Sequence, residues 1–446
     1  MAALPVAVIG AGPVGLAAAA HLIERGERPL IFESGEQVGA NVQGWAHVRM
    51  FSPWEYVVDA ASVRLLQSQG WQMPPRDALP TGSELLEHYL LPLASHPAVA
   101  PHLHLGSRVV AVARKSVDKM KDAQRSNIPF VLVVRHADGS ETSHEARAVI
   151  DASGTWHQPN PLGANGLPAL GERQLADRIV YGIPHIDAHK ARYANRRVMV
   201  VGSGHSAINV ILELAHLQES APQTHVIWAM RGTSLQRVLG GGENDALPAR
   251  GELGLRARAL LEAQRLEVLS PFHILGVQAA PQGTLRISGE GRSGPASVEV
   301  DELIVATGAR PDLDMLRELR LDLDPALESP RALGPMIDPN IHSCGTVPPH
   351  GEEQLRQPEK DFYIAGMKSY GRAPTFLLAT GYEQVRSVVA ALAGDWEAAR
   401  DVQLNLPETG VCSTDLVDGG SCCAPAAASR PASATIEILN IPVTGL

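Results

Sequence analysis

Short apolar, β-branched runs alternate with helix-favouring stretches along most of the chain. Residues 5–9 form one such run, residues 16–23 are rich in Ala and Leu, and residues 29–32 form a second run. Buried strands of parallel sheets read as continuous apolar runs, whereas Ala and Leu favour helix. The start of the chain therefore predicts a strand-helix-strand unit.

A glycine-rich turn joins the first predicted strand to the first predicted helix. It reads Gly10-Ala-Gly12-Pro13-Val-Gly15, a G-x-G-x-x-G pattern, and Glu33 ends the second strand. In dinucleotide-binding folds the first glycine allows a tight turn, the second lets the backbone approach a pyrophosphate, and the third lets helix and strand pack closely. An acid about 20 residues later accepts hydrogen bonds from the ribose. The unit is predicted to bind FAD.

The same pattern returns in the middle of the chain. A strand is predicted over 197–201, a helix over 208–217 and a further strand over 224–230. The loop between the first two is a G-x-G-x-x-A sequence made of Gly202, Ser203, Gly204, His205, Ser206 and Ala207. Arg231 stands where an acid would follow the second strand, and an arginine there favours the 2′-phosphate of NADPH over NADH. The alternatives are that Arg231 is a solvated surface residue or that Arg237 has this role.

Three later segments indicate how the two units are connected. The runs 148–150 and 303–305 end in small-residue turns that contain Gly154 and Gly308, and the run 361–366 ends at Gly366 before a helix predicted over 375–393. The predicted fold is α/β, with two Rossmann-like dinucleotide-binding domains. The FAD domain is discontinuous (1–160 and 310–400), the NADPH domain is inserted (161–309), and residues 401–446, rich in Gly, Ala, Ser and Pro near their centre, form a flexible tail.

Composition removes several classes of function. Lys and Arg total 38 against 48 Asp and Glu, a formal net charge of −10, so binding to nucleic acid or an anionic membrane surface is not expected. No run reaches the roughly 18 apolar residues of a membrane span. Four cysteines in 446 residues do not form a disulfide framework, and a cytoplasmic location is expected. Whether the chain forms a homo-oligomer stays open.

The order of these motifs resembles that of the flavin-containing monooxygenases, and more broadly that of flavoproteins with two dinucleotide-binding folds, over about residues 4–395. The resemblance implies FAD, NADPH, O₂ and a small-molecule substrate. The sequence departs from the family fingerprint before the second glycine motif, where Gly182 and His185 stand at a shorter spacing. The chain also lacks the C-x-x-C or C-x-x-x-x-C pair of the disulfide reductases.

The chain resembles the bacterial arsenic-resistance flavin monooxygenases in the amino-acid sequences of 45–54, 342–345 and 367–375. It also resembles them in its final segment, which contains Cys412, Cys422 and Cys423. This resemblance implies NADPH-dependent oxidation of trivalent arsenic, arsenite to arsenate. Three thiolates also match the trigonal coordination of a soft thiophilic centre. The three cysteines are therefore candidate arsenite-binding thiols, with chance thiols in a disordered tail as the alternative.

Candidate catalytic residues come from two loops. Arg49, Ser52 and Trp54 follow the first strand-helix-strand unit, in the segment that lines the flavin in such monooxygenases. Lys368 and Tyr370 follow the Gly366 turn and are expected to face the flavin ring or the substrate. The alternatives are core packing for Trp54, a surface or cofactor contact for Arg49, and a surface loop for Lys368 and Tyr370. No spacing indicates a zinc site.

Three other functions stay open. The first is an NADPH-flavin oxidoreductase or oxidase that passes electrons to O₂ or a partner. The second is a monooxygenase that acts on an organic amine or sulfide. The third is a metalloid-binding or redox-sensing flavoprotein.

Overall fold

Two parallel sheets form the framework of the protein in a computed structural model that describes residues 4–233, 248–341, 347–374 and 376–404. All neighbouring strands within each of these sheets run parallel. In spatial order the first sheet contains Phe362–Ile364 (β16), Ala148–Asp151 (β7), Val6–Ile9 (β1), Pro29–Phe32 (β2) and Leu103–His104 (β3). In the same order the second sheet contains Glu267–Leu269 (β11), His225–Ala229 (β10), Arg197–Val201 (β9), Glu302–Val305 (β15) and Ile179–Tyr181 (β8).

Two antiparallel three-stranded sheets accompany the parallel ones. One consists of Ser107–Arg114 (β4), Phe130–His136 (β5) and Glu141–Ala146 (β6), and the other of Phe272–Ala279 (β12), Leu285–Gly291 (β13) and Gly294–Val300 (β14). Each is a simple meander of consecutive strands. The α-helices of the described residues are Pro13–Glu24 (α1), Ala40–Gln43 (α2), Trp54–Val57 (α3), Ala60–Gln67 (α4), Gly82–Leu85 (α5), Leu91–Ser95 (α6), Lys190–Tyr193 (α7), His205–Ser220 (α8), Pro248–Glu262 (α9), Gly334–Ile337 (α10), Glu352–Leu355 (α11), Leu378–Leu392 (α12) and Trp396–Arg400 (α13).

The parallel strands are apolar because helices and antiparallel sheets cover both of their faces. Every residue of β1 is buried, and so is every residue of β7 and β16. Parallel strands place their carboxyl ends at one edge of a sheet. The turns that follow β1, β2, β7 and β16 therefore meet at a single edge, and these are the turns in which the sequence analysis placed Gly10, Glu33, Gly154 and Gly366.

The predicted α/β architecture with two parallel sheets is confirmed. Strands of the first sheet lie within 1–160 and 310–400, and those of the second lie within 161–309. The domain boundaries themselves stay a prediction. The predicted tail has only its first four residues, 401–404, among the described ones.

A buried polar network ties α1 to the segment that precedes α4. The carboxylate of Asp59 lies 2.9 Å from Nε2 of His21 and accepts hydrogen bonds from the backbone and hydroxyl of Ser62. Asp59 is also the N-cap of α4. Burial raises the pKa of Asp59, but the neighbouring His21 and the bonds from Ser62 outweigh it and hold the pKa below its usual value.

The substitution Asp59→Asn should lower the free energy of unfolding by about 1–3 kcal/mol at pH 7, because it weakens a buried charge-assisted network. A carboxyl whose pKa is lowered in the folded state stabilises that state above its unfolded pKa, about 3.9, and the contribution is lost as the pH falls. The difference between wild type and variant should therefore shrink below about pH 4. Denaturant unfolding at several pH values measures this. The exposed Asp77→Asn is the control, and an equal effect from it would contradict the assignment.

Candidate active site

The glycine motif after β1 contains two glycines, Gly10 and Gly15, at which any other residue would clash with the backbone. Gly10 has φ +95°, and a Cβ there would lie 2.8 Å from the carbonyl oxygen of Ala152. A Cβ at Gly15 would lie 1.9 Å from the carbonyl oxygen of Gly10, so α1 packs directly on the loop. Gly12 is different, because a Cβ there would meet nothing within 4 Å. The backbone of Gly12, at the start of α1, therefore borders open space.

Glu33 fixes this loop from the end of β2. Its carboxylate accepts a hydrogen bond from the backbone N–H of Ala11 at 2.8 Å and another from that of Gly35 at 2.8 Å. The side chain is almost fully buried and still lines the adjoining cavity. A carboxylate has acceptor positions beyond these two bonds. Glu33 can therefore hold the loop and also accept from a hydroxyl of a ligand.

A cavity of about 340 Å³ lies at this edge of the first sheet. It extends from the neighbourhood of Glu33, past the glycine loop, to the turn after β16. The predicted site residues that line it are Gly10, Gly12, Pro13, Glu33, Gly154, Gly366 and Lys368. Residues from both ends of the described chain thus form one site.

Lys368 contributes a buried positive charge to the wall of this cavity. Its Nζ lies 2.6 Å from Oδ2 of Asp151 and 3.1 Å from Oγ of Ser153, and the side chains of Lys368 and Asp151 are both fully buried. Oδ1 of Asp151 accepts from the backbone and hydroxyl of Ser153. An ammonium group has three donors, and these two contacts use two of them.

The second glycine motif has the same local geometry as the first. Gly202 has φ +135°, and a Cβ there would lie 2.2 Å from the carbonyl oxygen of Ala306. Gly204 is the N-cap of α8, and a Cβ on it would meet nothing within 4 Å. Ser203 and His205 are exposed beside it, and Ser206 is half-buried. The first turn of this 16-residue helix therefore presents backbone N–H groups to an open space, which suits an anion.

Arg231 follows β10 and is exposed, with its Nη1 donating to the carbonyl of Ala164 at 2.9 Å. This bond uses one of its five donors. Arg237 lies outside the described residues. Gly308 has φ +83° and accepts a hydrogen bond from the backbone N–H of Asn160, in the region where the chain returns from the second sheet.

Four of the five candidate catalytic residues lie away from the cavity wall. Arg49 is exposed and donates to the carbonyl of Leu79, whereas Ser52 and Trp54 are buried. Tyr370 is also buried, and its ring packs edge-to-face on Phe376. Only Lys368 of this group lines the cavity. A loop sequence does not specify which of its side chains turn inward.

Several cavity-lining side chains were not singled out by the sequence analysis. Trp156 is one of two tryptophans among them, and a Cβ at Gly44 would lie 2.7 Å from its indole, so this close approach requires glycine. The position of Trp156 just after the turn at Gly154 is a signal that could have identified it. The other side chains of this kind are Asn41, Trp45, Arg108, His157, Asp312, Met315 and Phe376.

The described residues contain no group of three or more side chains able to hold a metal ion. None of their helices has both the length and the apolar character needed to cross a membrane. The candidate thiols Cys412, Cys422 and Cys423 lie outside these residues, as does Cys344.

In each parallel sheet of this chain a glycine loop leads from a strand into a helix. A chain with this arrangement belongs to the class of flavoproteins that bind two dinucleotides. More particularly, it is a member of the pyridine nucleotide-disulphide oxidoreductase family, whose pattern it matches over residues 4–328. This membership confirms the predicted oxidoreductase class and its cofactors, FAD and a pyridine nucleotide.

Solved structures share this fold at low sequence identity. The bacillithiol disulfide reductase of Bacillus cereus is 18% identical, with 88% of this chain and 99% of that chain covered and a TM-score of 0.65. The cadaverine monooxygenase of desferrioxamine biosynthesis from Erwinia amylovora, solved with FAD, is 12% identical (92% and 99% covered, TM-score 0.63). The ornithine N-hydroxylase of Kutzneria sp. 744, solved with reduced FAD, NADP⁺ and ornithine, is 16% identical (89% and 100% covered, TM-score 0.59). These likenesses concern the fold.

A curated relative matches part of the chain. It is the 4-hydroxybenzoate brominase (decarboxylating) of Marinomonas mediterranea, 24% identical over 221 residues. The match covers 48% of this chain and 37% of that enzyme. The chain therefore spans little more than a third of this relative.

Proposed function

We propose that the protein is an FAD-dependent, NADPH-consuming monooxygenase of a small soft nucleophile, with trivalent arsenic as the leading substrate. The flavin site is inferred from one observation, a cavity that extends along Glu33, the first glycine loop and the turn at Lys368. Its shape and donors suit a dinucleotide bound along the edge of the first sheet. The second glycine motif provides a separate site for the reductant.

The residues at the cavity fit FAD in three places. Glu33 would accept from the adenosine ribose, and the backbone at Gly12 with the start of α1 would bind the pyrophosphate. Gly154, Gly366 and Lys368 would lie beside the flavin ring. When bound, the flavin supplies electron transfer from the nicotinamide to O₂. The protein orients these groups and excludes water from the reacting atoms.

Arg231 is proposed to bind the 2′-phosphate of NADPH. The substitution Arg231→Ala should raise KM for NADPH about tenfold and leave KM for NADH nearly unchanged, since a charge-assisted bond contributes about 1.5–3 kcal/mol. Steady-state kinetics with both nucleotides measure this, with the exposed Arg292→Ala as the control. Equal losses for NADPH and NADH would remove Arg231 from this role.

Chemistry of the chain supports trivalent arsenic as the substrate. Arsenic(III) carries a lone pair that an oxygen donor can oxidise, and it binds thiolates strongly. Cys412, Cys422 and Cys423 would supply such thiolates near the C-terminal end of the sequence. The sequence lacks the C-x-x-C or C-x-x-x-x-C pair of the disulfide reductases, which favours oxygenation of a small substrate over thiol exchange.

The test is oxidation of NADPH by the purified full-length flavoprotein, with and without arsenite, while arsenate and H₂O₂ are quantified. Arsenite-stimulated turnover with one arsenate formed per NADPH consumed is the expected result. Turnover that arsenite does not change, with H₂O₂ as the product, would contradict arsenite oxidation and favour an oxidase. Tight arsenite binding that is lost on replacement of the three cysteines, with only slow NADPH oxidation, would favour a metalloid-binding flavoprotein.

Oxygenation of an organic amine is the second candidate function. Its support is the fold shared with the cadaverine monooxygenase and the ornithine N-hydroxylase. The same assay with cadaverine and ornithine in place of arsenite separates the two candidates. Amine-stimulated NADPH oxidation with a hydroxylamine product would favour this function over arsenite oxidation.

A further inference from the structure

Two histidines from different parts of the fold meet beside the cavity. His47 belongs to the segment between α2 and α3, and His185 to the loop between β8 and α7. Their ring centroids are 4.5 Å apart and the planes cross at 81°. Trp156, which lines the cavity, packs against Gly44 and Gly182, each three residues before one of the histidines. Trp156 therefore links the cavity wall to the two segments that carry the histidines.

His47 presents a free acceptor at this place. Its Nε2 is buried and has no hydrogen-bond partner among the described residues. The backbone of Pro184 lies near the same ring, and we assign the ring proton to Nδ1, which leaves Nε2 unprotonated. Burial, together with the neighbouring His185, lowers the pKa of His47, so the ring is neutral at neutral pH. A neutral ring with its proton on Nδ1 has a lone pair on Nε2.

His185 presents the complementary donor. Its Nδ1 accepts a hydrogen bond from the backbone N–H of Ala188 at 3.0 Å. A neutral imidazole that accepts at Nδ1 carries its proton on Nε2. No described residue accepts from that Nε2. One acceptor and one donor thus stand side by side on two adjoining rings.

The second nucleotide motif lies close to the same segment. The ring of Phe51 is 5.4 Å from the ring of His205, the first residue of α8. Four peptide units separate His47 from Phe51 and span at most about 14 Å. The segment 47–51 therefore connects the start of α8, where the phosphates of a pyridine nucleotide would bind, with the histidine pair.

We propose that His47 and His185 together bind the carboxamide of the nicotinamide ring. The carboxamide N–H would donate to Nε2 of His47, and its oxygen would accept from Nε2–H of His185. A carboxamide has the required donor and acceptor next to each other. The inference rests on the proposed use of NADPH and assigns the two histidines as positioning residues that orient the nicotinamide toward the flavin cavity.

Equilibrium titration of the oxidised holoenzyme tests this without turnover. The ligands are NADP⁺, 2′,5′-ADP, which lacks the nicotinamide, and the 3-acetylpyridine analogue of NADP⁺, which lacks the carboxamide N–H. His47→Ala should raise the Kd of NADP⁺ about tenfold, the loss expected for one buried hydrogen bond. It should leave the Kd values of 2′,5′-ADP and of the acetylpyridine analogue unchanged. His185→Ala should weaken both nicotinamide-type ligands, because each retains the carbonyl.

Two further variants complete the design. His47→Gln restores an acceptor and should recover part of the NADP⁺ affinity. His216→Ala is the matched control, since His216 is exposed on α8 beside Glu219 and should change no Kd. Unchanged NADP⁺ binding in His47→Ala would overturn the histidine assignment while leaving NADPH use intact, and weakened binding of 2′,5′-ADP in that variant would overturn it as a structural effect. Failure of the wild type to bind either NADP⁺ or 2′,5′-ADP would overturn the proposed use of NADPH, and with it this inference.

Discussion

The substitution Gly12→Val should give a folded protein that has lost its flavin. Gly12 has an extended backbone (φ −79°, ψ −173°) that any residue adopts, and a Cβ there meets nothing within 4 Å. The fold should therefore tolerate Gly12→Val. The added side chain would enter the space at the start of α1 that the FAD pyrophosphate is proposed to occupy. The Kd for FAD, read from the visible absorbance as FAD is added to flavin-free protein, should rise at least about tenfold, as expected for a loss of 1.4 kcal/mol or more.

The second motif supplies a matched control for this substitution. Gly204 also has an extended backbone and open space at its Cβ, so Gly204→Val should fold and keep its flavin while it loses reduction by NADPH. Gly15→Val is a contrasting case. Its Cβ would lie 1.9 Å from the carbonyl oxygen of Gly10, so this substitution should lower the midpoint temperature of thermal unfolding. A Gly12→Val protein with full flavin content, or a flavin-free Gly204→Val protein, would contradict the assignment of the two motifs.

The substitution Lys368→Met should lower the free energy of unfolding by about 3–5 kcal/mol, because it leaves the buried carboxylate of Asp151 without its partner. Both side chains of this pair are fully buried, so water cannot take the place of the ammonium group. Flavin affinity should fall as well, since Lys368 lines the cavity. Denaturant unfolding and flavin content together measure the two effects.

A double variant distinguishes the ion pair from the packing of the lysine chain. Asp151→Asn combined with Lys368→Met removes both charges and should be more stable than Lys368→Met alone. Lys115→Met is the control, because the exposed pair of Lys115 with Glu145 should contribute less than about 1 kcal/mol. If Lys368→Met lowers the free energy of unfolding no more than Lys115→Met does, the stabilising role assigned to the buried pair is contradicted.

Elements next to the glycine motifs could be predicted closely from sequence because their causes are local. The strand predicted over 197–201 has those bounds in the structure, and the run 148–150 forms β7 with one further residue, Asp151. Helix starts were less accurate. The helix predicted over 208–217 begins at His205, because the glycine motif itself supplies the first turn, and the helix predicted from 375 begins at Leu378.

Candidate residues that directly follow a parallel strand of the first sheet lie at the cavity, whereas the position of residues that depend on distant packing could not be predicted from the sequence. Gly366 and Lys368 line the cavity because β16 ends there, at the same edge as β1. Phe376 lines the cavity without following a parallel strand directly, so no local pattern indicates its position. Trp54 is buried in the core, as the alternative given for it in the sequence analysis expects.

The pairing of β16 with β7 has a consequence for synthesis of the chain. Phe362 is aligned with Val149, so the first sheet joins segments more than 200 residues apart in sequence. The second sheet draws all its strands from one continuous stretch, Ile179 to Val305. Contacts that are closer in sequence form sooner, and chains emerge from the ribosome N-terminus first. The second sheet should therefore be able to form on the ribosome before β16, the last strand of the first sheet, has been synthesised. A nascent chain stalled at that stage would expose the apolar edge of β7.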